Sequence, residues 1–272
     1  MRDHGTWAGA AAVLAALLLA PPARADGPCG PAYPRRTPID LSGAIAGGSA
    51  RPLHAWGQAN LQLLPAEDAG GPVLRVRYPA GSIDPGNARA PLGGAGFQLP
   101  VGPGAEARCL HYRLRFPEGF DFVRGGKLPG LYAGDAPRGC SKPELSAGFS
   151  ARLMWRGNGA GELYLYAPDR AARCGDSIGR GSWSFPRGRW VSVAQEVVLN
   201  APGQADGTVR IWIDGHPVLS HGGLLLRERA ETRIAGLLFS TFFGGNDPSW
   251  ASPLDQRAEF TDFGIWDPPA AR

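Results

Sequence analysis

The most constraining feature of the sequence is a series of short segments in which apolar and polar residues alternate. Clear examples run over 73–78, 109–116, 149–155 and 208–213, and such alternation is typical of strands that are buried on one face. No long stretch has apolar residues at helical spacing, and 40 glycines and 26 prolines favour many turns. The sequence therefore predicts an all-β protein, an antiparallel β-sandwich or jelly roll of the concanavalin-like kind.

Residues 1–25 have the features of a cleavable signal peptide. A weakly basic start is followed by an apolar run over 8–20 and by a small-x-small cleavage site, Ala-Arg-Ala, at 23–25. The apolar run is too short to span a bilayer, although an uncleaved membrane anchor is the alternative. We expect a secreted or periplasmic protein with no membrane association after cleavage, in which 26–272 form a single domain because no Ser/Gly-rich or Pro-rich linker divides them.

Four cysteines, all in the exported part, lie in a compartment that allows disulfides. They permit three connectivities, of which we expect Cys29 with Cys109 and Cys140 with Cys174. A zinc site is the competing interpretation, but the sequence has no Cys-x-x-Cys or His-x-x-x-His pair. We therefore expect no metal, and no Asp-rich calcium loop is visible.

The charge balance limits the choice of partner. The full chain has a formal net charge of +4, which permits a polyanionic partner without requiring one. No Lys/Arg cluster of the kind that follows nucleic-acid phosphates is present, so nucleic acid is not expected. The P-loop pattern is also absent, and no cofactor is predicted.

A hairpin is predicted where two alternating segments, 149–155 and 162–166, flank the Gly/Asn-rich stretch 156–161. Alternation separates the side chains of the first strand into an apolar face and a second face with Ser150, Arg152 and Met154. If the apolar sets share the core, register places Arg152 beside the two tyrosines of the partner strand, Tyr164 and Tyr166. The alternative is a surface arginine beside ordinary β-forming tyrosines.

Upstream, a segment unusually rich in glycine, 124–134, surrounds a single lysine, Lys127. We expect a loop here, because glycines let the backbone approach a ligand closely while the ammonium group points at it. Taken alone, this signal is weak.

Five motifs together resemble polysaccharide lyase family 14. They are Gly-Gly-Lys-Leu-Pro-Gly-Leu-Tyr at 125–132, Gly-Phe-Ser-Ala-Arg-Leu-Met-Trp-Arg at 148–156, Gly-Glu-Leu-Tyr-Leu-Tyr at 161–166, Ser-Ile-Gly-Arg-Gly-Ser at 177–182 and Phe-Ser-Thr-Phe-Phe-Gly-Gly at 239–245. The resemblance covers roughly residues 70–266. It implies an alginate or related polyuronate lyase on a jelly roll, acting on an acidic polysaccharide. We expect the protein to be a monomer. The resemblance also implies a cleft formed by Lys127, Ser150, Arg152, Tyr164 and Tyr166.

These residue types suit β-elimination from a uronate. Removing the C5 proton next to a carboxylate requires cations that stabilise the developing negative charge, which Lys127 and Arg152 are expected to supply. Adjacent cations favour a phenolate, so Tyr164 or Tyr166 could act as the base or as the acid that protonates O4. The sequence does not rank the two tyrosines.

Further candidates come from the remaining strands and loops. His111 is a candidate to line the groove as an auxiliary base; the alternative is a strand histidine that is simply packed or at the surface. Ser240, Thr241, Gly244, Gly245 and Asn246 are expected to shape a subsite.

Two other functions compete with the lyase. A carbohydrate-binding module is possible because Trp250 lies in a polar loop, whereas Trp155, Trp190 and Trp212 are expected in the core. A glycoside hydrolase would need two carboxyl groups; Glu118 and Asp121 are close in sequence but lack the Glu-x-Asp-x-x-Glu pattern of sandwich-fold glucanases.

Overall fold

The computed structural model describes residues 1, 27–46, 52–65, 71–140 and 148–269. Apart from Met1, the predicted signal peptide lies outside the described residues, so it stays a prediction, as does the single domain. No helix of the described ranges is both long and apolar enough to cross a bilayer.

The described residues form fifteen strands, one short α-helix and three single-turn 3₁₀ helices. The strands are β1 (Arg35–Pro38), β2 (Leu53–Trp56), β3 (Leu61–Leu64), β4 (Val73–Tyr78), β5 (Ala95–Ala105), β6 (Ala107–Arg115), β7 (Gly125–Ala133), β8 (Ser150–Arg156), β9 (Gly161–Tyr166), β10 (Asp176–Ile178), β11 (Trp190–Val198), β12 (Gly207–Ile213), β13 (His216–Leu224), β14 (Ile234–Phe243) and β15 (Gln256–Asp267). The helices are α1 (Leu41–Ala46) and the turns Gln58–Asn60, Gly157–Gly159 and Pro248–Trp250.

Two antiparallel sheets face each other across one core, which confirms the predicted jelly-roll sandwich. The first sheet has the strand order β10-β9-β8-β7-β14-β5-β2, and the second has the order β13-β12-β11-β6-β15-β4-β3 with β1 added beside β15. Strands that are distant in sequence, such as β6 and β15, lie side by side. The functional strands β7, β8, β9 and β14 are therefore neighbours in the first sheet.

The core lies between the sheets and follows the alternation of the strands. In β6, Leu110, Tyr112 and Leu114 are fully buried and point inward. Gln195 of the second sheet also points inward: it accepts a hydrogen bond from the Leu131 amide at 2.8 Å and donates one to the Ala151 carbonyl at 2.6 Å. This polar link joins β11 to the strands that carry the site.

The tryptophan prediction is right for one of three residues. Trp155 is fully buried in the core. Trp190 and Trp212 are only partly buried, because their inward-pointing neighbours Val191 and Ile211 occupy the core face of the same strands. Both therefore lie on the outer face of the second sheet.

The predicted lysine loop is in fact a strand, β7, and this corrects the loop prediction. Its glycines are explained by close packing: a Cβ at Gly126 would lie 2.1 Å from the Trp155 ring, and one at Gly130 would lie 1.9 Å from the Ala151 carbonyl oxygen. The register between β7 and β8 shifts between Leu128 and Gly130. The glycines of β7 therefore allow close packing against neighbouring residues. They do not provide the conformational flexibility of a loop.

Both expected disulfides are present, Cys29–Cys109 and Cys140–Cys174. The first links the N-terminal segment to β6 in the second sheet. The second links the segment after β7 to the segment between β9 and β10, so it lies at one end of the strands that carry the predicted site.

Candidate active site

A cleft of about 660 Å³ lies on the outer face of the first sheet. Its floor is formed by side chains of β7, β8, β9 and β14, and loops form its walls. The lining side chains that the chemistry below uses are Lys127, Arg152, Met154, Arg156, Tyr164, Tyr166 and Ser240, with Trp56, Trp250, Arg138, Arg173 and the Cys140–Cys174 bridge at the edges. Among the described lining residues, one carboxylate is present, Asp84.

The predicted hairpin register is confirmed. Arg152 pairs with Tyr164, and Ser150 pairs with Tyr166, across β8 and β9. The turn that joins the strands contains Asn158 and Gly159 at φ of 57° and 79°, a left-handed conformation that these two residue types tolerate. One arginine and two tyrosines therefore share the cleft face.

Arg152 is a buried cation without an ion-pair partner in the part of the chain that the structure describes. Its side chain donates to the Ser240 hydroxyl at 3.2 Å, its Cζ lies 5.4 Å from the centre of the Tyr166 ring, and its Nε has no hydrogen-bond partner among the described residues. Burial lowers the pKa of Arg152, although the two tyrosines oppose this effect. A buried guanidinium group in this state favours binding of an anion.

Lys127 extends from β7 into the same cleft. Its Nζ lies 2.9 Å from the sulfur of Met154 and 3.8 Å from the centre of the Tyr164 ring. Burial, with repulsion from Arg152 and Arg156, holds the pKa of Lys127 well below its ordinary value. The ammonium group thus loses its proton more easily than an exposed lysine does.

The two tyrosines differ in their surroundings. The Tyr164 hydroxyl accepts a hydrogen bond from the Gly175 amide at 3.2 Å. Burial and the neighbouring Tyr166 raise the pKa of Tyr164 to about 12 and outweigh the lowering effect of Arg152. The centre of the Tyr166 ring lies 5.4 Å from the Cζ of Arg152. Cys174 packs against the cluster formed by Met154, Tyr164 and Tyr166, so the bridge to Cys140 supports this cluster.

Glu162 is a component of the site that the sequence analysis did not identify. Its side chain is fully buried and forms ion pairs with Arg156 and, at 2.6 Å, with Arg180. Ser177 donates a third hydrogen bond at 2.6 Å. The positive charge of Arg156 is therefore already paired with Glu162. Arg152 is then the arginine that remains available to a ligand at the centre of the cleft floor.

The other predicted site residues divide into two groups. Ser240 and Asn246 line the cleft. Ser150 lies on the same face but is fully buried. Its hydroxyl donates to the Pro137 carbonyl at 2.6 Å and so fixes the segment after β7, and it does not line the cleft itself.

Two predicted site residues lie outside the cleft, and both are corrections. Thr241 faces the core, where its hydroxyl is 2.6 Å from that of Tyr78, because neighbours in a strand point to opposite faces. His111 lies on the outer face of the second sheet, with Nε2 2.9 Å from the Ser192 hydroxyl. The alternation of β6 places His111 on an outer face, as expected. However, β6 belongs to the second sheet, whereas the cleft lies on the first.

Several lining residues were missed because loops or distant strands supply them. Trp56 comes from β2, Trp250 from the turn after β14, and Arg173 from the loop after β9. Met154 and Arg156 had a usable signal, since they follow Arg152 at intervals of two residues in the same strand. No group of three His, Cys, Asp or Glu side chains that could hold a metal ion occurs within the described residues.

Comparison with known proteins gives consistent matches. The profile of the family described as Polysaccharide lyase 14 matches residues 66–263. A crystal structure of the marine PL-14 alginate lyase from Aplysia kurodai is 32% identical, with a TM-score of 0.71 over 84% of this chain and 94% of that one. An alginate lyase from Chlorella virus is 23% identical with a TM-score of 0.69, covering 85% of this chain and 98% of that one, and shares the fold.

A curated relative also matches. Exolysin of Paramecium bursaria Chlorella virus 1 is 26% identical over 171 residues, which is 52% of this chain. The match spans 26% of exolysin.

A jelly roll with this family match and this cationic cleft is a polysaccharide lyase. The chain belongs to polysaccharide lyase family 14.

Proposed function

We propose that the protein is a secreted lyase that cuts a polyuronate, such as alginate or glucuronan, by β-elimination in the cleft of the first sheet. The observation that carries the proposal is the buried Arg152, whose Nε has no partner among the described residues. A uronate carboxylate would satisfy this guanidinium group. The alginate lyase from Aplysia kurodai, at 32% identity, supports the same class of substrate.

In this proposal Arg152 and Lys127 bind the carboxylate at the point of cleavage. Arg152 pairs with it through parallel hydrogen bonds, whereas Lys127 acts as a point charge. Because burial lowers the pKa of Lys127 in the free protein, the arriving carboxylate draws a proton onto it. The two cations then stabilise the enolate-like charge that develops when C5 loses its proton.

The tyrosines move the protons. The C5 proton lies next to the carboxylate, so the base has to lie beside Arg152, and we assign this role to Tyr166. Tyr164 keeps its proton at neutral pH because its pKa is about 12, which suits the acid. As Tyr166, acting in its phenolate form, takes the C5 proton and becomes a neutral phenol, the electron pair forms the C4–C5 double bond, the C4–O4 bond breaks, and O4 accepts the proton of Tyr164.

The edges of the cleft fit a polymer. Trp56 and Trp250 offer ring surfaces for neighbouring sugars, and Arg138 and Arg173 offer further cations. The two disulfides support export to an oxidising compartment.

The test is to incubate the purified protein with alginate, glucuronan and a neutral glucan and to analyse the products. We expect unsaturated ends from at least one polyuronate and none from the glucan. Saturated reducing ends alone would indicate a hydrolase, and polymer binding without any product would indicate a binding module; either result would refute the proposal.

A further inference from the structure

A second group of cations lies on the opposite side of the molecule, on the outer face of the second sheet. We call it the arginine face. It consists of Arg75 and Arg77 of β4, Arg113 and Arg115 of β6, Arg257 and Glu259 of β15, and Trp190 of β11. The cleft described above is on the other sheet, so the sandwich core separates the two.

Strand register brings these residues together. Trp190 pairs with Arg115, and Arg115 pairs with Glu259. Glu259 also pairs with Arg75 on its other side. These four residues therefore form one row across four neighbouring strands, which lie about 4.8 Å apart.

The guanidinium groups greatly outnumber the acid on this face. Among the described residues named above, five arginines accompany one carboxylate, Glu259, whose side chain is only 3% exposed and is 2.8 Å from Arg75 and 2.6 Å from Arg115. The side chains named for this face therefore carry a formal net charge of +4, five arginines less one glutamate.

Two of the arginines are placed unfavourably for folding. Arg77 lies directly opposite Arg257, and like charges in such a pair destabilise a sheet. Arg257 is 51% exposed and lies 3.8 Å from Glu259. Arg77 is exposed and forms no ion pair within the described residues. An anion bound between these two side chains would remove their repulsion.

Trp190 orients part of this charge. The Cζ atoms of Arg113 and Arg115 lie 5.5 Å and 4.7 Å from the centre of its ring. Stacking on an indole ring restricts long side chains that would otherwise move freely. The arginine face is therefore partly organised before any ligand arrives.

We propose that the arginine face is a second, non-catalytic binding site for an anionic polysaccharide with carboxylate-bearing sugars. Guanidinium groups pair with carboxylates through two parallel hydrogen bonds. The face is a pleated sheet surface, which suits an extended chain with repeated charges and offers no helix for the grooves of a nucleic-acid duplex. Held on this face, a long polymer would stay near the enzyme between cuts. The choice of a polyuronate as the ligand rests on the proposed function.

The test compares two double variants of equal charge. Arg77→Gln/Arg257→Gln changes the arginine face and keeps the Arg75–Glu259–Arg115 pairs. Arg35→Gln/Arg229→Gln removes the same charge from exposed positions elsewhere. Binding of long alginate chains is measured by affinity electrophoresis, with Tyr166→Phe added to each protein, and turnover of short alginate oligosaccharides is measured without that change.

We expect the arginine-face variant to bind the long polymer about tenfold more weakly at low salt, as the loss of two exposed charge contacts implies, with unchanged turnover of short oligosaccharides. The control should match the parent protein in both assays. Equal binding by the two double variants would overturn the proposal, as would duplex DNA that competes as well as alginate at equal charge. Absence of turnover with normal polymer binding would instead contradict the proposed lyase function alone.

Discussion

The ammonium nitrogen of Lys127 lies 3.8 Å from the centre of the Tyr164 ring, so two proposed participants in the reaction are in direct contact. Lys127 comes from β7 and Tyr164 from β9, with β8 between them. Met154, the residue of β8 that pairs with Lys127, contacts the same ammonium group through its sulfur. Charge on the lysine therefore acts directly on the phenol, and the pH behaviour of the site depends on both.

The first prediction concerns this lysine. Burial and two arginines lower its pKa in the free protein, and a bound carboxylate raises it. Between the two pKa values, ligand binding should take up a proton, and affinity should fall as pH rises through the upper value. Calorimetry of an alginate oligosaccharide with Tyr166→Phe protein, in buffers of different ionisation enthalpy, measures this uptake. The same uptake in a Lys127→Met version would contradict the assignment.

The second prediction concerns Arg152. Replacement by alanine should lower kcat/KM by about 100-fold or more, because the developing charge loses a preorganised partner. Arg152→Lys keeps a charge but loses the parallel hydrogen bonds, so it should restore only part of the activity. Initial rates of unsaturated-end formation provide the measurement. A lysine variant as active as the parent would show that charge alone is sufficient.

The third prediction separates the two disulfides. On the chain-entropy model, closing loops that span 34 and 80 residues stabilises the fold by about 4 kcal/mol in each case. Cys140→Ser/Cys174→Ser should also lower kcat, because Cys174 packs against the cluster that contains both tyrosines. Cys29→Ser/Cys109→Ser should lower stability alone. Thermal unfolding and kcat are measured for both proteins, and equal losses of kcat would argue against a special role for the bridge beside the cleft.

The fourth prediction concerns Glu162. Burial opposes its ionisation, but hydrogen bonds from Arg156, Ser177 and Arg180 outweigh burial and lower its pKa. Since the folded-state pKa is below the unfolded one, this stabilisation is present above the unfolded pKa and is lost as pH falls through the folded one. Glu162→Gln should cost about 3 kcal/mol at neutral pH, as breaking a buried ion pair does. Denaturant unfolding between pH 7 and pH 3 measures this, and a variant with the parent's acid sensitivity would contradict it.

The sequence predicts the fold class and the hairpin face for a simple reason. Alternation within β8 and β9 depends on neighbouring residues, so Arg152, Tyr164 and Tyr166 could be placed on one face before the structure was known. The same rule would have excluded Thr241 once Ser240 was assigned to the cleft, because the two are adjacent in one strand.

Other features depend on contacts between distant parts of the chain. Whether His111 faced the cleft depended on which sheet contained β6, and strand order sets this. The Glu162 ion pairs require Arg180 from the loop after β10. β5 was missed because glycine and proline residues interrupt its alternation, and it exists as a strand because it pairs with β14. The glycine-rich segment around Lys127 was a weak signal, and the family resemblance implied its place in the cleft.

The most direct test of the account is the rate of unsaturated-end formation by Tyr164→Phe and Tyr166→Phe proteins, measured beside equilibrium binding of the same polyuronate. Each change removes one oxygen and keeps the ring. We predict that each lowers kcat by about 100-fold or more, as loss of a proton-transfer group does, while polymer binding stays within a few-fold of the parent. Near-parent rates in both variants would contradict the assignment of proton transfer to the tyrosine pair, even in an active lyase.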